Sequence, residues 1–318
     1  MYMYDLVIIG SAAAGSAAAI YGARRNLNQV VVAKDTGGEV ALCGEVENWP
    51  GIEHTTGVEM ANNFLKHVKS YNVPMDIGFE VTKIVQEKNY HIVHAKNYSG
   101  EEKTYQTKAV IIGTGIHPRH LGVPGEENLQ AKGVTYCTVC DGPLYKGKIT
   151  TTIGAGNSAL ESALMMSELA SKVYLITKYP EATGGGFPKG ENILVDKVKQ
   201  KDNVEIIYEA MTTEILGTDM VTGVKYKAAG SDDEVELETN AAMIHIGMNP
   251  NSGFTDCVEK NDQKEITVDL NTATSCAGIF AAGDVTNTPF KQIIISAGMG
   301  ATAALSAIDY INRWKEEG

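Results

Sequence analysis

The sequence predicts an α/β fold made of two Rossmann-like, three-layer dinucleotide-binding domains, the second inserted into the first. Three observations carry this expectation. Two short apolar strands each run into a Gly-rich turn and a small-residue helix. Each copy is followed by strand-like alternation and closes on an apolar strand ending in Gly. The C-terminal segment offers a strand and a long helix but no Gly-rich turn of its own.

Asp5-Leu-Val-Ile-Ile9 has the composition of a short buried strand. It enters Gly10-Ser-Ala-Ala-Ala-Gly15, an Ala-rich helix to about Arg25, and a second strand at Gln29–Ala33. The second copy lies about 144 residues further along, from Gly10 to Gly154. There Lys148–Ile153 leads into Gly154-Ala-Gly-Asn-Ser-Ala159, then the helical Leu160–Ala170 and the strand Lys172–Thr177. Strand-like stretches follow at Asp76–Glu87 and Tyr90–Ala95 in the first copy, and at Val204–Glu214 and Gly223–Lys227 in the second. The closing strands are Ala109–Gly115 and Ala242–Gly247. The tail holds Gly278-Ile-Phe-Ala-Ala-Gly-Asp284, a loop at Val285–Pro289 and a helix over about Gln292–Trp314. Without a crossover turn, the tail is expected to complete the first domain. The borders are placed at 1–115 plus 248–318 for a first dinucleotide-binding domain and 116–247 for an inserted second one carrying the C-x-x-C.

Composition narrows the function classes. A length of 318 residues, 43% apolar and 21% charged, suits one large or two ordinary globular domains. The net charge of −12 speaks against a nucleic-acid partner. The first apolar run follows Asp5 rather than a basic stretch, so no signal peptide is expected. No run of 18 uncharged apolar residues occurs, so no membrane span is expected and the cytoplasm is the default location. Five scattered cysteines do not make a secreted disulfide framework.

Three motifs carry chemistry. The first turn reads G-x-A-x-x-G: Gly10 makes the tight turn, Gly15 lets helix approach strand, and Ala12 stands where a Gly usually lets backbone approach a pyrophosphate. One methyl is a modest obstruction, so nucleotide binding is still expected. Asp284, after Gly283 and an apolar strand, can accept a hydrogen bond from a ribityl hydroxyl, or instead cap the helix that follows. Cys137-Thr-Val-Cys140, followed by Asp141, can close and reopen a small disulfide ring, with a carboxyl beside it to shuttle a proton. A zinc site is the weaker reading, because no second ligand pair follows at suitable spacing, and no metal is expected. Two buried, unpaired cysteines are the bland alternative.

Val134-Thr-Tyr-Cys-Thr-Val-Cys-Asp-Gly142 resembles the redox-active segment of the low-molecular-weight thioredoxin reductases. So do Gly37-Gly38-Glu39, Glu45-Val-Glu-Asn-Trp-Pro-Gly51, Ile112-Gly-Thr-Gly115, Phe280-Ala-Ala-Gly-Asp-Val285, Lys291-Gln292 and Ser296-Ala-Gly298. The resemblance spans about residues 4–312. It implies FAD in the first domain, held by Gly10, Ala12 and Gly15 at the first turn and by Gly37, Gly38, Glu39 and Asn48 after the second strand. Val81, Gly113, Thr114 and Gly115, and then Asp284, Lys291, Gln292 and Ile293, complete the implied contacts. It also implies a homodimer, a thioredoxin-like partner, and two domains that rotate between two states. Cys140 would face the flavin, Cys137 would attack the thioredoxin disulfide, and Asp141 would be the acid/base.

The second domain departs from that pattern. Its Gly-x-Gly-x-x-Ala turn is present, offering Gly154, Gly156, Asn157 and Ser158 to a nicotinamide nucleotide. The family's Arg cluster for a 2′-phosphate is replaced by Thr177-Lys-Tyr-Pro180, Glu181 and Thr183-Gly-Gly-Gly186. Only Lys178 is expected to meet a phosphate, without a bidentate grip. Thr177 offers no carboxylate for ribose hydroxyls. NADPH is therefore a doubtful donor. Relatives lacking the Arg cluster look like enzymes reduced by ferredoxin or a reduced deazaflavin.

Two other functions compete with thioredoxin reduction: a FAD-dependent dithiol oxidase passing electrons to oxygen, and a flavin redox sensor without turnover. Cys43, Cys257 and Cys276 read as small hydrophobes or idle thiols. His117, His120 and His245 read as structural, Trp49 as loop packing near the flavin, and Ser231–Glu238 as a hairpin with a solvated acidic face.

Overall fold

A computed structural model describes residues 3–43, 45–182, 187–231 and 233–315. The chain divides into two compact units, the first comprising Met1–Cys43, Trp49–His117 and Asn249–Gly318, the second Gly44–Asn48 and Pro118–Met248.

In the first unit, parallel strands run in the order Met75–Ile77, Gln29–Ala33, Met3–Ile9, Glu102–Ile112, with Ile279–Ala281 on the far side of the last. Glu102–Ile112 does two jobs. Its first half pairs antiparallel with His91–Asn97, and its second half lies between Met3–Ile9 and Ile279–Ala281. The central strands read as unbroken apolar runs because both faces are covered. Alternate side chains serve opposite faces. Val7, Ile9, Val30, Val32, Val110 and Ile112 join one core with the antiparallel strands, while Leu6, Ile8, Val31, Ala109 and Ile111 join another under the helices. The result is three layers.

Helices Ala13–Ala23 and Ile293–Arg313 meet through small residues. A Cβ at Gly300 would fall 2.1 Å from the Ala14 carbonyl oxygen, and Ala303, Ala304 and Ala307 are fully buried. By length and composition alone, Ile293–Arg313 could cross a membrane, with a mean hydropathy of 1.4. In this fold its small-residue face packs on the first unit's helix and sheet instead.

The second unit repeats the strand order: Val204–Ile207, Lys172–Ile176, Ile149–Gly154, Ala241–His245, Val134–Thr135. Its antiparallel layer is a separate sheet of Ala210–Gly217, Val221–Ala228 and Glu234–Glu238. Asp232 of the acidic run lies outside the described residues. Two stretches read as single strands are each broken in the middle. Asp76–Glu87 becomes Met75–Ile77 and Phe79–Gln86, parted at Gly78 (φ +90°). Val204–Glu214 becomes Val204–Ile207 and Ala210–Gly217, with Glu209 at φ +53° between them. Each break passes the chain from the parallel sheet to the antiparallel layer. Hydrophobic alternation runs through both breaks, so it gives no sign of them.

Candidate functional site

The edge strand Val134–Thr135 delivers the chain into a single helical turn, Thr138–Asp141, with Cys137 at its N-cap. The Cys137 carbonyl accepts the Cys140 and Asp141 N–H groups, each at 3.1 Å. Cys137 and Cys140 are joined as a disulfide with a Cα–Cα distance of 5.3 Å, and the Cys140 N–H also approaches Cys137 Sγ at 3.3 Å. Both cysteines are half-buried, and Val139 between them is exposed.

Asp141 is held by Thr135. The Thr135 hydroxyl accepts the Cys137 N–H at 3.1 Å and donates to Asp141 Oδ2. Asp141 Oδ1 is buried without a hydrogen-bond partner. Burial raises the Asp141 pKa above the ordinary carboxyl range, the Glu45 carboxylate pushes the same way, and the Thr135 bond opposes both. The carboxyl next to Cys140 thus keeps its proton to higher pH than a free Asp.

A buried polar chain anchors the redox turn from below. Thr138 Oγ1 lies 2.8 Å from His245 Nε2 and 2.6 Å from Ser162 Oγ, and Ser162 reaches Thr152 at 3.2 Å. Burial lowers the His245 pKa to about 4, so the ring is neutral and ties the redox turn to strand Ala241–His245. Glu126 carries no motif that would single it out in the sequence. It is 1% exposed and accepts from Leu121 N (2.9 Å), Gly122 N (2.7 Å) and Tyr136 OH (2.9 Å). His120 contacts the same Tyr136 hydroxyl at 2.9 Å. Nothing in its local sequence distinguishes Glu126 from a surface acid; the fold buries it.

In the first unit, the turn after Met3–Ile9 requires glycine twice. A Cβ at Gly10 (φ +104°) would fall 2.3 Å from the Gly113 carbonyl oxygen, and one at Gly15 would fall 1.9 Å from the Gly10 carbonyl. Ala12 sits at φ −79° as N-cap of Ala13–Ala23, a conformation open to any residue, so its methyl adds no backbone strain. Asp35, just past the second strand, accepts from Gly38 N at 3.0 Å through Oδ1 and from Ser11 Oγ at 2.7 Å through its carbonyl. This links Gly37, Gly38 and Glu39 to the first turn. Asp35 is absent from the residues the sequence put forward, although an acid soon after the second strand of such a unit is itself a signal.

Asp284 lies in the turn Gly283–Val285 and accepts from Ser296 Oγ at 2.8 Å. The N-cap of Ile293–Arg313 is Gln292, so Asp284 does not cap that helix. Burial raises its pKa, while the Ser296 bond and the Lys291 charge pull it down. Lys291 pairs with Glu265 at 2.7 Å and donates to the Thr286 carbonyl at 2.6 Å. Thr114 and Gly115 are pinned by Asn251, through Thr114 Oγ1 to its carbonyl at 2.7 Å and its N–H to Gly115 O at 3.0 Å. Val81 is buried in the sheet core beside Ile9 and Val32, and Asn48 falls in the segment grouped with the second unit. Trp49 packs against Phe64 with ring centroids 5.6 Å apart.

A dinucleotide suits this end of the first sheet. The glycines leave room for backbone approach, helix Ala13–Ala23 presents its N-terminal N–H groups, and Asp35 and Asp284 supply acceptors for sugar hydroxyls.

The second Gly-rich turn is closed just as tightly. A Cβ at Gly154 would fall 2.3 Å from the His245 carbonyl oxygen. Gly156 is N-cap of Asn157–Leu169 and bridges to Lys189. Asn157 is engaged with Glu191, accepting its N–H at 2.9 Å, while Ser158 is exposed. Lys178 lies 5.4 Å and Lys189 4.9 Å from the Tyr179 ring centroid. Lys178 is therefore not the sole cation near this turn: Lys189 arrives through backbone pairing that sequence order hides. The Thr183–Gly186 segment lies outside the described residues. Among the described residues, no group of three or more His, Cys, Asp or Glu is arranged to hold a metal ion.

Residues 4–304 match the family described as pyridine nucleotide-disulphide oxidoreductase. The chain is 40% identical over 311 residues to a component of the alkyl hydroperoxide reductase of Staphylococcus aureus, covering 98% of this chain and 59% of that protein. It thus spans about three-fifths of the length of the curated relatives it matches. A thioredoxin reductase from Streptococcus pyogenes shares 33% identity and a TM-score of 0.90 over 98% of both chains. A ferredoxin-flavin thioredoxin reductase from Clostridium acetobutylicum shares 32% identity and a TM-score of 0.53 over 98% of this chain and 99% of that one. The glycine cradle, the Cys137–Cys140 disulfide and these similarities converge: the chain belongs to the pyridine nucleotide-disulphide oxidoreductases, as a FAD-dependent disulfide oxidoreductase of the thioredoxin-reductase type.

Proposed function

We propose that this chain is a thioredoxin-disulfide reductase, in which Cys137 and Cys140 relay an electron pair from FAD to the disulfide of a thioredoxin-like protein. The observation that carries the reading is the half-buried Cys137–Cys140 disulfide with the buried Asp141 carboxyl, its pKa raised by burial, beside it. The Gly10–Gly15 turn would hold the pyrophosphate at the helix N-terminus, with Gly37–Glu39, Val81 and Gly113–Gly115 around the nucleotide. Asp35 and Asp284 would take sugar and ribityl hydroxyls, with Lys291, Gln292 and Ile293 flanking Asp284. When bound, the flavin would supply the two electrons that the disulfide needs to open.

The remaining steps belong to the protein. The Cys137 thiolate attacks one partner sulfur, and the expelled partner thiolate takes a proton. Cys140 then attacks Cys137 Sγ, re-forming the ring and releasing the second partner thiolate. The Asp141 carboxyl supplies the proton that keeps a leaving thiolate from returning. A homodimer and a cytoplasmic location belong to the same reading.

The donor is read from the second unit. Its intact Gly154–Ala159 turn supports a nicotinamide dinucleotide, with Lys178 and Lys189 as the cations near it. The missing Arg cluster, and the likeness to a ferredoxin-flavin thioredoxin reductase, support ferredoxin or a reduced deazaflavin instead. Anaerobic bleaching of the 450 nm flavin band by NADPH, NADH and reduced ferredoxin in turn separates these donors. A second reading of the acceptor follows from the 40% identity to one component of an alkyl hydroperoxide reductase, where the acceptor would be the disulfide of another component. Full thioredoxin reduction by Cys140→Ser overturns the relay, and dithiol-driven oxygen uptake without a donor would show the flow running the other way.

A further inference from the structure

The fold brings together two thiols that this reaction does not use. Cys276 is 4% exposed, sealed among Val258, Ile266 and Ile279. Cys257 packs against the same cluster but is only half-buried, so solvent reaches it. Their loops are stitched side by side: Glu259 N–H donates to Ser275 Oγ at 2.8 Å, and Thr267 N–H donates to the Glu259 carbonyl at 3.0 Å. The two thiols lie close enough to perturb one another electrostatically, and Thr255 Oγ1 lies 3.3 Å from Cys257 Sγ. Both cysteines are free.

We propose that Cys257 and Cys276 form a second redox site in the first unit, one that a hydroperoxide converts to a Cys257–Cys276 disulfide. The accessible Cys257 sulfur attacks a peroxide oxygen; the S–O bond forms, the O–O bond breaks, and the thiol proton leaves on the alcohol or water released. Cys276 Sγ then attacks the Cys257 sulfenic acid; the S–S bond forms, the S–O bond breaks, and hydroxide departs with the Cys276 proton as water. Two thiols lose two electrons in total and one hydroperoxide gains them. Burial and the neighbouring thiol push the Cys276 pKa up to about 12, so the buried partner stays protonated and reacts only with an oxidised sulfur placed beside it. That order of events sets this site apart from Cys137–Cys140. The bond would tie the loop around Thr255–Cys257 to the segment that enters Ile279–Ala281 and Asp284.

The test is peptide mapping of the holoenzyme after limiting cumene hydroperoxide, with free thiols alkylated before digestion and no reductant added. The expected product is a peptide pair joined through Cys257 and Cys276, lighter by two hydrogen atoms, that separates with dithiothreitol. Cys257→Ser, at the accessible position, should leave Cys276 fully alkylatable. Cys276→Ser should leave a sulfenic acid at Cys257 that dimedone traps. Wild-type protein with Cys257 driven to the sulfinic acid beside an alkylated Cys276, or with both sulfurs alkylated throughout, overturns the proposal.

Discussion

The Thr135 hydroxyl donates to Asp141 Oδ2 while accepting the Cys137 N–H, so one side chain joins the Asp141 carboxyl to the backbone of Cys137. Because this bond favours the ionised carboxyl, its removal should raise the Asp141 pKa further. In Thr135→Val the descending limb of the pH–rate profile for disulfide exchange should move to higher pH, since the lost hydrogen bond stabilised the charged carboxylate. Stopped-flow exchange with a thioredoxin substrate reads the shift; an unmoved limb would detach Thr135 from the acid.

Asp141→Asn removes the proton donor and keeps the shape. A raised carboxyl pKa means the acid form persists toward neutral pH and is lost as pH rises through that pKa. The wild-type exchange rate should therefore fall with rising pH, and the variant should be slower by about 10²–10⁴-fold with no such limb. Flavin content should be unchanged, because Asp141 lies outside the glycine cradle.

Gly10→Ala places a methyl 2.3 Å from the Gly113 carbonyl oxygen at φ +104°. The turn must shift to accommodate it, at a cost of roughly 2–4 kcal/mol. The variant should purify with little yellow colour, read as a lower 450 to 280 nm absorbance ratio, and should melt earlier than wild type. Ala12→Gly should change neither, because Ala12 has an ordinary backbone conformation.

His91 is 2% exposed, and burial lowers its pKa from 6.5 to about 4. The unfolded chain takes up this proton near pH 6.5 and the folded chain only near 4. Stability from His91 is thus fully present above pH 6.5 and drains away as pH falls toward 4, by about 3 kcal/mol. Denaturant unfolding at pH 7 and pH 4.5 should show His91→Phe losing less stability than wild type over that interval. His245, with a similarly lowered pKa, titrates in both proteins and cancels from the comparison.

Much of this was legible because each local signal had one physical source. Val30–Val32 read as a buried strand since both faces are covered, and Gly10 and Gly15 read as a turn since no Cβ fits there. Asp141 was legible from its place beside Cys140. Its partner Thr135 was not, because a Thr in a strand looks like any β-former until the next turn folds back on it. Lys189 and Asn251 were hidden for a related reason: they meet Gly156 and Thr114 through pairings between residues far apart in sequence. The same distance concealed Cys257 from Cys276. The strand breaks at Gly78 and Glu209 sit inside continuous apolar alternation, so periodicity passed over them.

The repeated strand order has an architectural consequence. In each unit the fifth strand of the parallel set lies at an edge and ends in a single short helical turn: Ile279–Ala281 before Gly283–Val285, and Val134–Thr135 before Thr138–Asp141. Asp284 and the Cys137–Cys140–Asp141 trio are therefore occupants of one and the same socket, reached last in one copy and first in the other. On the proposed function, a repeated scaffold gives one socket to ligand recognition and the other to thiol chemistry. Such a socket is a natural place to graft new reactivity, since its contents hang from a sheet margin and leave the other four parallel strands untouched.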